Sequence, residues 1–74
     1  MDYNDQDVSF VRDMIKHHQA GIDMALDQID DGKNKAMITL AHAIISKQSD
    51  EITDMKKWLK DRDLKSGSDH AMKM

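Results

Sequence analysis

Two long stretches of helical periodicity, separated by the short sequence DDGKN, limit what this chain can fold into. In the first stretch, from Val8 onward, apolar residues recur every three or four positions, which predicts an amphipathic helix over about residues 7–30. The second stretch, KAMITLAHAIISKQSDEITDMKKWLKDRD, predicts another helix over about residues 35–63. The first apolar face comprises Phe10, Val11, Met14, His18, Gly21, Ile22, Ala25 and Ile29. The second comprises Met37, Leu40, Ala41, Ile44, Ile45, Gln48, Ile52, Met55 and Leu59, with Glu51 and Trp58 at its edge.

The break between the two helices is short, which makes them antiparallel neighbours. Gly32 is expected to end the first helix in the left-handed conformation, and Asn34 to cap the second. The chain has no proline and only three glycines, which favours long helices over a turn-rich β fold. The sequence therefore predicts an all-α fold. An antiparallel two-helix hairpin covers residues 1–63, and a flexible tail that contains methionine and histidine covers residues 64–74.

The size of the chain predicts a partner or a metal. A chain of 74 residues forms one small domain, which rarely buries enough apolar surface without a disulfide, a metal or a second subunit. The absence of cysteine excludes disulfides, thiolate zinc sites and iron–sulfur clusters. Each apolar face is also wider than a coiled-coil seam needs. We therefore expect a homodimer in which two hairpins form a four-helix bundle, with packing into a larger partner as the alternative.

Several functional classes do not fit the composition. The formal net charge is −3 with mixed signs, unlike the basic surface that nucleic-acid binding needs. No apolar run approaches the ~20 residues of a membrane span, and no signal peptide is visible. The sequence shows no nucleophile with a base, no phosphate-binding loop and no paired acids, so we do not expect an enzyme.

The segment MIKHHQAGIDM, residues 14–24, places polar residues inside the apolar face of the first helix. Antiparallel pairing about a turn near Gly32 sets His17 and His18 level with the region from Gln48 to Glu51. Burying such groups costs a few kcal/mol each unless they have partners. One interpretation is a hydrogen-bonded layer, from His18 to Glu51 or Gln48, which sets the register and the dimer geometry.

The other interpretation is a metal site. Met14 lies three and four residues before His17 and His18, so these side chains can converge on one face of the helix. Glu51 and Met55, also four residues apart, can approach them from the second helix. Spacing alone leaves both interpretations open.

The donor types indicate which metal such a site would take. The chain carries seven methionines and four histidines but no cysteine. Thioethers select Cu(I), and imidazole adds affinity for Cu(II). Methionine and histidine without thiolate therefore point to copper and to a non-reducing compartment. A di-iron carboxylate centre needs several inward glutamates, whereas Glu51 is the only glutamate in the chain.

Other residues of the two faces carry alternatives of their own. Met24 lies at the edge of the first face and is either a packing residue or a ligand. Met37 and Met55 are expected in the core, and His42 is expected to be solvated. Gly21 costs about 1 kcal/mol relative to alanine in a helix interior. It provides either close helix packing or room for a ligand beside the histidines.

The end of the chain, DHAMKM, has donors at alternate positions. His70, Met72 and Met74 are either an ordinary polar terminus or a second, weaker copper site, because flexible thioether and imidazole donors can wrap a soft cation without a fold.

The stretches FVRDMIKHHQAGIDMA and LAHAIISKQSDEITDMKKWL resemble the bacterial family labelled domain of unknown function 305. The resemblance covers about residues 8 to 60. It includes the paired histidines, Met24-Ala25, Gln48-x-x-Glu51 and the ending Met55-x-x-Trp58-Leu59. The resemblance implies a ferritin-like helical fold, export to the periplasm or another extracytoplasmic site, and a role in copper binding or copper resistance.

The resemblance also implies which positions matter here. The family's signature positions are Met14, His17, His18, Met24, Gln48, Glu51 and Met55. We therefore expect a copper-binding protein, with Cu(I) favoured over Cu(II), that sequesters the metal, confers resistance or delivers it to another copper-handling protein. The alternative is a structural or partner-binding helical module whose polar layer only specifies its assembly.

Overall fold

The computed structural model describes residues 2–65. These residues form two helices, α1 (Asp5–Asp31) and α2 (Lys35–Asp61), which pack against each other as an antiparallel hairpin. The molecule measures 47 × 27 × 17 Å, so it is one helix thick in its smallest dimension. The predicted all-α hairpin is therefore confirmed. The predicted helices, about residues 7–30 and 35–63, differ from these bounds by two residues or fewer at each end.

Both helices begin with an asparagine cap. The Asn4 side chain accepts the backbone N–H of Asp7 at 3.0 Å, and the Asp7 carboxylate accepts the backbone N–H of Asn4 at 3.0 Å. The Asn34 side chain accepts the N–H of Met37 at 3.1 Å, as the sequence predicts. These bonds satisfy backbone donors that the first turn of a helix leaves free.

The helix ends differ from the prediction. Gly32 has φ −77° and ψ 161°, so the expected left-handed cap is wrong, and its N–H donates to the Gln28 carbonyl at 2.8 Å. The left-handed residue is instead Asp63, with φ 62°, after the end of α2. There Leu64 N–H donates to the Leu59 carbonyl, and Asp63 N–H to that of Lys60. This pair of bonds is a Schellman motif with aspartate at the position that glycine usually holds.

The core lies toward the open end of the hairpin, away from the turn. Its buried residues are Val8, Ile15, Ile52 and Leu59. Around them pack the half-buried side chains of Tyr3, Val11, Ile22, Met55, Trp58 and Leu64. Leu64, which the sequence assigns to the tail, thus packs on the hairpin. Nearer the turn the buried residues are Ala25 and Ala41, whose small side chains let the helices approach closely.

Both apolar faces remain partly exposed in the single hairpin. Met37 is predicted in the core but is 47% exposed, so that prediction is wrong for the single hairpin. Met55 does pack against the core. At the turn end Ala25 and Ala41 are buried, whereas Met24 and Leu40 are also about half exposed or more.

Candidate metal centre

His18 connects the two helices. On α1, its Nδ1 lies 2.8 Å from the Met14 carbonyl oxygen one turn earlier. Its Nε2 lies 2.7 Å from Oε1 of Glu51 on α2. A carbonyl oxygen can only accept, so Nδ1 is assigned the proton and donates it to Met14. The second nitrogen then faces a carboxylate, and the contact requires a proton or another cation between Nε2 and Oε1.

The register of the hairpin brings these groups together. His18 lies opposite Glu51, and Gly21 lies opposite Gln48. Facing residues are therefore equidistant from the Asn34–Lys35 bond, not from Gly32 as the sequence argument assumed. The offset arises because α1 ends at Asp31 and α2 begins only at Lys35.

Two methionines complete the surroundings of the His18–Glu51 pair. An open groove of about 440 Å³ lies beside the pair. Its lining consists of Phe10, Met14, His18, Glu51, Asp54 and Met55. The side chain of His18 is 15% exposed and that of Glu51 is 43% exposed, so solvent reaches the pair mainly from the side of Glu51. The groove, which we call the donor groove, is therefore bordered by one imidazole, two methionines and two carboxylates.

The structure separates the remaining predicted ligands from this group. Met24 and Gln48 line a second groove of about 350 Å³ nearer the turn. Its full lining is Gly21, Met24, Ala25, Gln28, Met37, Leu40, Ala41, Ile44 and Gln48, and we call it the turn groove. His17 and His42 are exposed and line neither groove. His70, Met72 and Met74 lie outside the described residues.

Gly21 serves close packing. A Cβ atom at this position would lie 2.5 Å from Oε1 of Gln48, so the glycine makes space for the glutamine side chain. It does not open space beside the histidines. Gln48 Oε1 is buried and has no hydrogen-bond partner among the residues described. Such an atom costs free energy until a donor reaches it.

Histidine and carboxylate side chains form no three-residue cluster in the part of the chain that the structure describes. Within residues 2–65, no three side chains of His, Cys, Asp or Glu converge. A metal site built around His18 and Glu51 would therefore need a further ligand, such as a thioether or a donor from a second molecule. Asp54, one turn after Glu51, is a groove residue that the sequence argument missed, although its spacing of three residues from Glu51 was visible.

A second cluster at the open end was also missed. The Arg62 guanidinium stacks over Trp58 at 4.1 Å and bonds the Asp2 carboxylate through two nitrogens, at 3.3 and 2.6 Å. Tyr3 meets the Trp58 ring edge-on at 5.8 Å between centroids. The hydrogen bond from Arg62 lowers the pKa of the Asp2 carboxyl below its ordinary value and raises the pKa of Arg62. This cluster ties the N-terminal segment to the end of α2.

Comparison with known protein families supplies the identification. Residues 3–74 match the family described as Domain of unknown function (DUF305), which covers nearly the whole chain. The chain belongs to the DUF305 family. Comparisons with curated proteins and with solved structures gave no match. The DUF305 description states no activity, so a function can be inferred only from the side chains that line the donor groove.

Neither helix of this DUF305 chain, within residues 2–65, has an apolar stretch of the length needed to cross a bilayer.

Proposed function

We propose that this DUF305 protein binds copper in the donor groove, with Cu(I) favoured and Cu(II) as a second state. The observation that carries the proposal is the His18–Glu51 pair with Met14 and Met55 beside it in one groove. His18 Nδ1 donates to the Met14 carbonyl, so Nε2, which contacts Glu51, is the nitrogen that would bind the metal. A hydrogen bond to the second nitrogen is the usual way in which a metal-binding histidine is oriented.

The chemistry of the groove favours copper over other common metals. Two thioethers are soft donors, and the chain has no cysteine that would favour zinc. The 2.7 Å between Nε2 and Oε1 is a hydrogen-bond distance, so the two atoms would have to move apart to about 3–3.4 Å to bind one metal ion with bonds of ~2.0–2.1 Å. A cation there would replace the proton that the pair otherwise requires. The carboxylate adds an oxygen donor suited to Cu(II).

The proposed role is to hold and pass on copper, not to catalyse a reaction. Glu51 is partly exposed, so a competing ligand from another copper-handling protein can reach the ion. Sequestration, resistance and delivery are all compatible with such a site. We propose that this role is carried out outside the cytoplasm, in the periplasm or cell envelope, an expectation that rests on the resemblance to DUF305 proteins alone. The other predicted ligands do not belong to the proposed site, and their role as ligands stays a prediction. Those that lie outside the donor groove are His17, Met24 and Gln48. The terminal ones are His70, Met72 and Met74.

We further propose that the hairpin functions as a homodimer with four helices in a ferritin-like bundle. Six residues of the described chain are buried, and five large apolar side chains remain about half exposed or more. A small domain of this kind gains much of its stability from a second subunit.

The alternative function is a helical dimerisation or partner-binding module without a metal. The direct His18–Glu51 hydrogen bond supports it, because the polar groups satisfy each other without an ion. The two functions make different predictions for copper affinity, which can be measured directly.

Anaerobic Cu(I) titration against a competing chelator tests the proposal. We expect His18→Ala and the double variant Met14→Leu/Met55→Leu each to weaken Cu(I) binding at least tenfold. His42→Ala and Met37→Leu are matched controls, since both residues are exposed, lie outside the donor groove and are not predicted ligands. Circular dichroism checks that helicity is retained. Equal affinity in all variants would refute the copper site and favour the structural module.

A further inference from the structure

One face of the hairpin carries nearly all of its exposed apolar bulk. The five large exposed side chains are Phe10 (58%), Met24 (72%), Leu26 (48%), Met37 (47%) and Leu40 (49%). All but Leu26 lie on the side that holds the donor groove and the turn groove. On α1, the linings of both grooves fall within an arc of about 120° at 100° per residue, so the grooves lie end to end. We call this side the grooved face.

A buried polar atom without a partner lies at the centre of this face. Gln48 lines the turn groove and is one turn from Glu51 in the donor groove. Its Oε1 is buried against Gly21 and accepts no hydrogen bond from residues 2–65. Together with His18 and Glu51, Gln48 therefore forms a polar band across the middle of the face.

We propose that the grooved face binds the grooved face of a second copy of this chain, with both turns at the same end. A two-fold axis parallel to the helices then places α1 of each copy over α2 of the other. The proposal rests on the homodimer proposed above and specifies its surface and orientation. It is independent of whether copper binds.

Matching of polar with polar layers favours this orientation. The face has a polar band at the level of His18, Gln48 and Glu51, and an apolar half near the turn. With both turns together, the polar band of one copy meets the polar band of the other. The two His18–Glu51 pairs then share one layer with both Gln48 side chains. The reversed orientation would keep Gln48 near Gln48 but would set His18 and Glu51 against the apolar half of the other copy, which the cost of burying polar groups disfavours.

The face is large enough for a stable dimer. Its residues extend from Phe10 to Gln28 on α1 and from Met37 to Met55 on α2. Each segment is about 28 Å long, and two helices side by side are about 20 Å wide, which gives roughly 550 Å² in projection. The accessible area of such an uneven surface exceeds its projection and approaches the ~800 Å² per partner of a standard interface.

Analytical ultracentrifugation of the metal-free protein tests the surface. We expect the wild type to be a dimer at 100 µM. The dimer dissociation constants of Leu40→Asp and of Met24→Lys should each be at least tenfold higher. Leu26→Asp is the matched control, because Leu26 is equally exposed but lies off the grooved face. It should remain dimeric. A monomeric wild type, or a dimer that neither groove variant weakens, would overturn the proposal.

A distance between the two turns tests the orientation. The chain has no cysteine, so Lys33→Cys gives a single spin-label site on the exposed turn of the wild-type background. Double electron–electron resonance should give a distance of less than about 25 Å between the two spin labels if the turns lie together. Reversed packing would separate them by about the 40 Å length of a 27-residue helix and would contradict the proposal. Both measurements omit copper, so their failure would leave the copper proposal standing.

Discussion

His18 uses both of its ring nitrogens in the metal-free hairpin. Nδ1 donates to the Met14 carbonyl of its own helix, and Nε2 meets Glu51 on the other. The first bond fixes the tautomer and the ring orientation, so the second nitrogen is aimed into the donor groove before any metal arrives. The same residue therefore contributes to stability and prepares the proposed site, because ligand orientation is set by the fold.

The stability role of His18 can be measured by urea denaturation. We expect His18→Ala to lower the free energy of unfolding by about 1 kcal/mol. The loss is small because Glu51 is partly exposed, so water can replace the hydrogen bond that Glu51 makes with His18. His42→Ala is the control and should stay within about 0.5 kcal/mol of wild type. Glu51→Gln should cost little, because the amide can donate to Nε2. A loss for Glu51→Gln equal to that for Glu51→Leu would contradict the tautomer assignment.

The sequence was a good guide to half of the candidate site. Spacing of four residues on each helix placed Met14 with His18 and Glu51 with Met55, and these four do line one groove. His17 could not be separated from His18 by spacing alone, although the 100° between them turns His17 to solvent. The position of Gln48 depended on the register, which the helix boundaries at the turn decide. The predicted contact between His18 and Glu51 is confirmed, although facing residues are related about the Asn34–Lys35 bond and not about Gly32.

At the scale of the elements, capping was predictable where the side chain makes the bond and unpredictable where the backbone does. Asn4 and Asn34 belong to a residue type that is common at helix N-termini, so their role can be predicted from the sequence. Gly32 belongs to the residue type that favours a left-handed cap, yet its conformation is extended in the three-residue connection between α1 and α2. Asp63 adopts the left-handed conformation because Leu64 must turn back to contact the core.

Asp63→Gly should stabilise the hairpin. An L-residue in the left-handed region costs roughly 1–2 kcal/mol that glycine avoids, partly offset by the greater freedom of glycine in the unfolded chain. We expect a net gain of about 0.5–1 kcal/mol in thermal or urea unfolding. Asp63→Ala is the control and should give no gain. Equal stability of the two variants would show that the left-handed turn is not populated.

The Asp2–Arg62 pair predicts an acid-sensitive N-terminal segment. The hydrogen bond from Arg62 lowers the pKa of Asp2, so the ionised carboxylate is favoured in the folded state. Its contribution is present above the ordinary value of 3.8 and is lost as the pH falls through the lowered value. NMR titration should show the Arg62 side-chain signals shift only below about pH 4. Arg62 shifts that persist unchanged in Asp2→Asn would contradict this assignment.

At the scale of the whole molecule, the hairpin is a thin layer with its core at one end. The sequence predicted the two helices and their antiparallel packing because the periodicity is long and the break short. Its expectation that one hairpin cannot cover both apolar faces agrees with Met37 and Leu40, which remain about half exposed. The exposed apolar face is what the proposed dimer would cover.

Truncation separates the tail from the hairpin. Leu64 packs on the core and the Lys65 carbonyl accepts from Nε of Arg12 at 2.8 Å, so a chain ending at Lys65 keeps both contacts. We expect its melting temperature to equal that of the full chain. Ending at Asp63 removes Leu64 and should lower the free energy of unfolding by about 1 kcal/mol, or the melting temperature by roughly 4–8 °C.

Copper stoichiometry of the same truncation tests the tail as a site. If His70, Met72 and Met74 bind copper, the chain ending at Lys65 should bind less Cu(I) while the affinity of the remaining site is unchanged. Equal copper content at every pH from 5 to 8 would show that the terminal methionines are not ligands.

The central claim is that copper binds between Met14, His18, Glu51 and Met55, and methyl NMR of methionine tests it most directly. With the methionine methyl groups labelled, anaerobic addition of the first equivalent of Cu(I) should shift the signals of Met14 and Met55. Those of Met24 and Met37, which line the turn groove, should stay in place. His18→Ala should abolish the early shifts, and His42→Ala should preserve them. Cu(I) that binds tightly while the Met14 and Met55 methyl signals do not move would contradict the account.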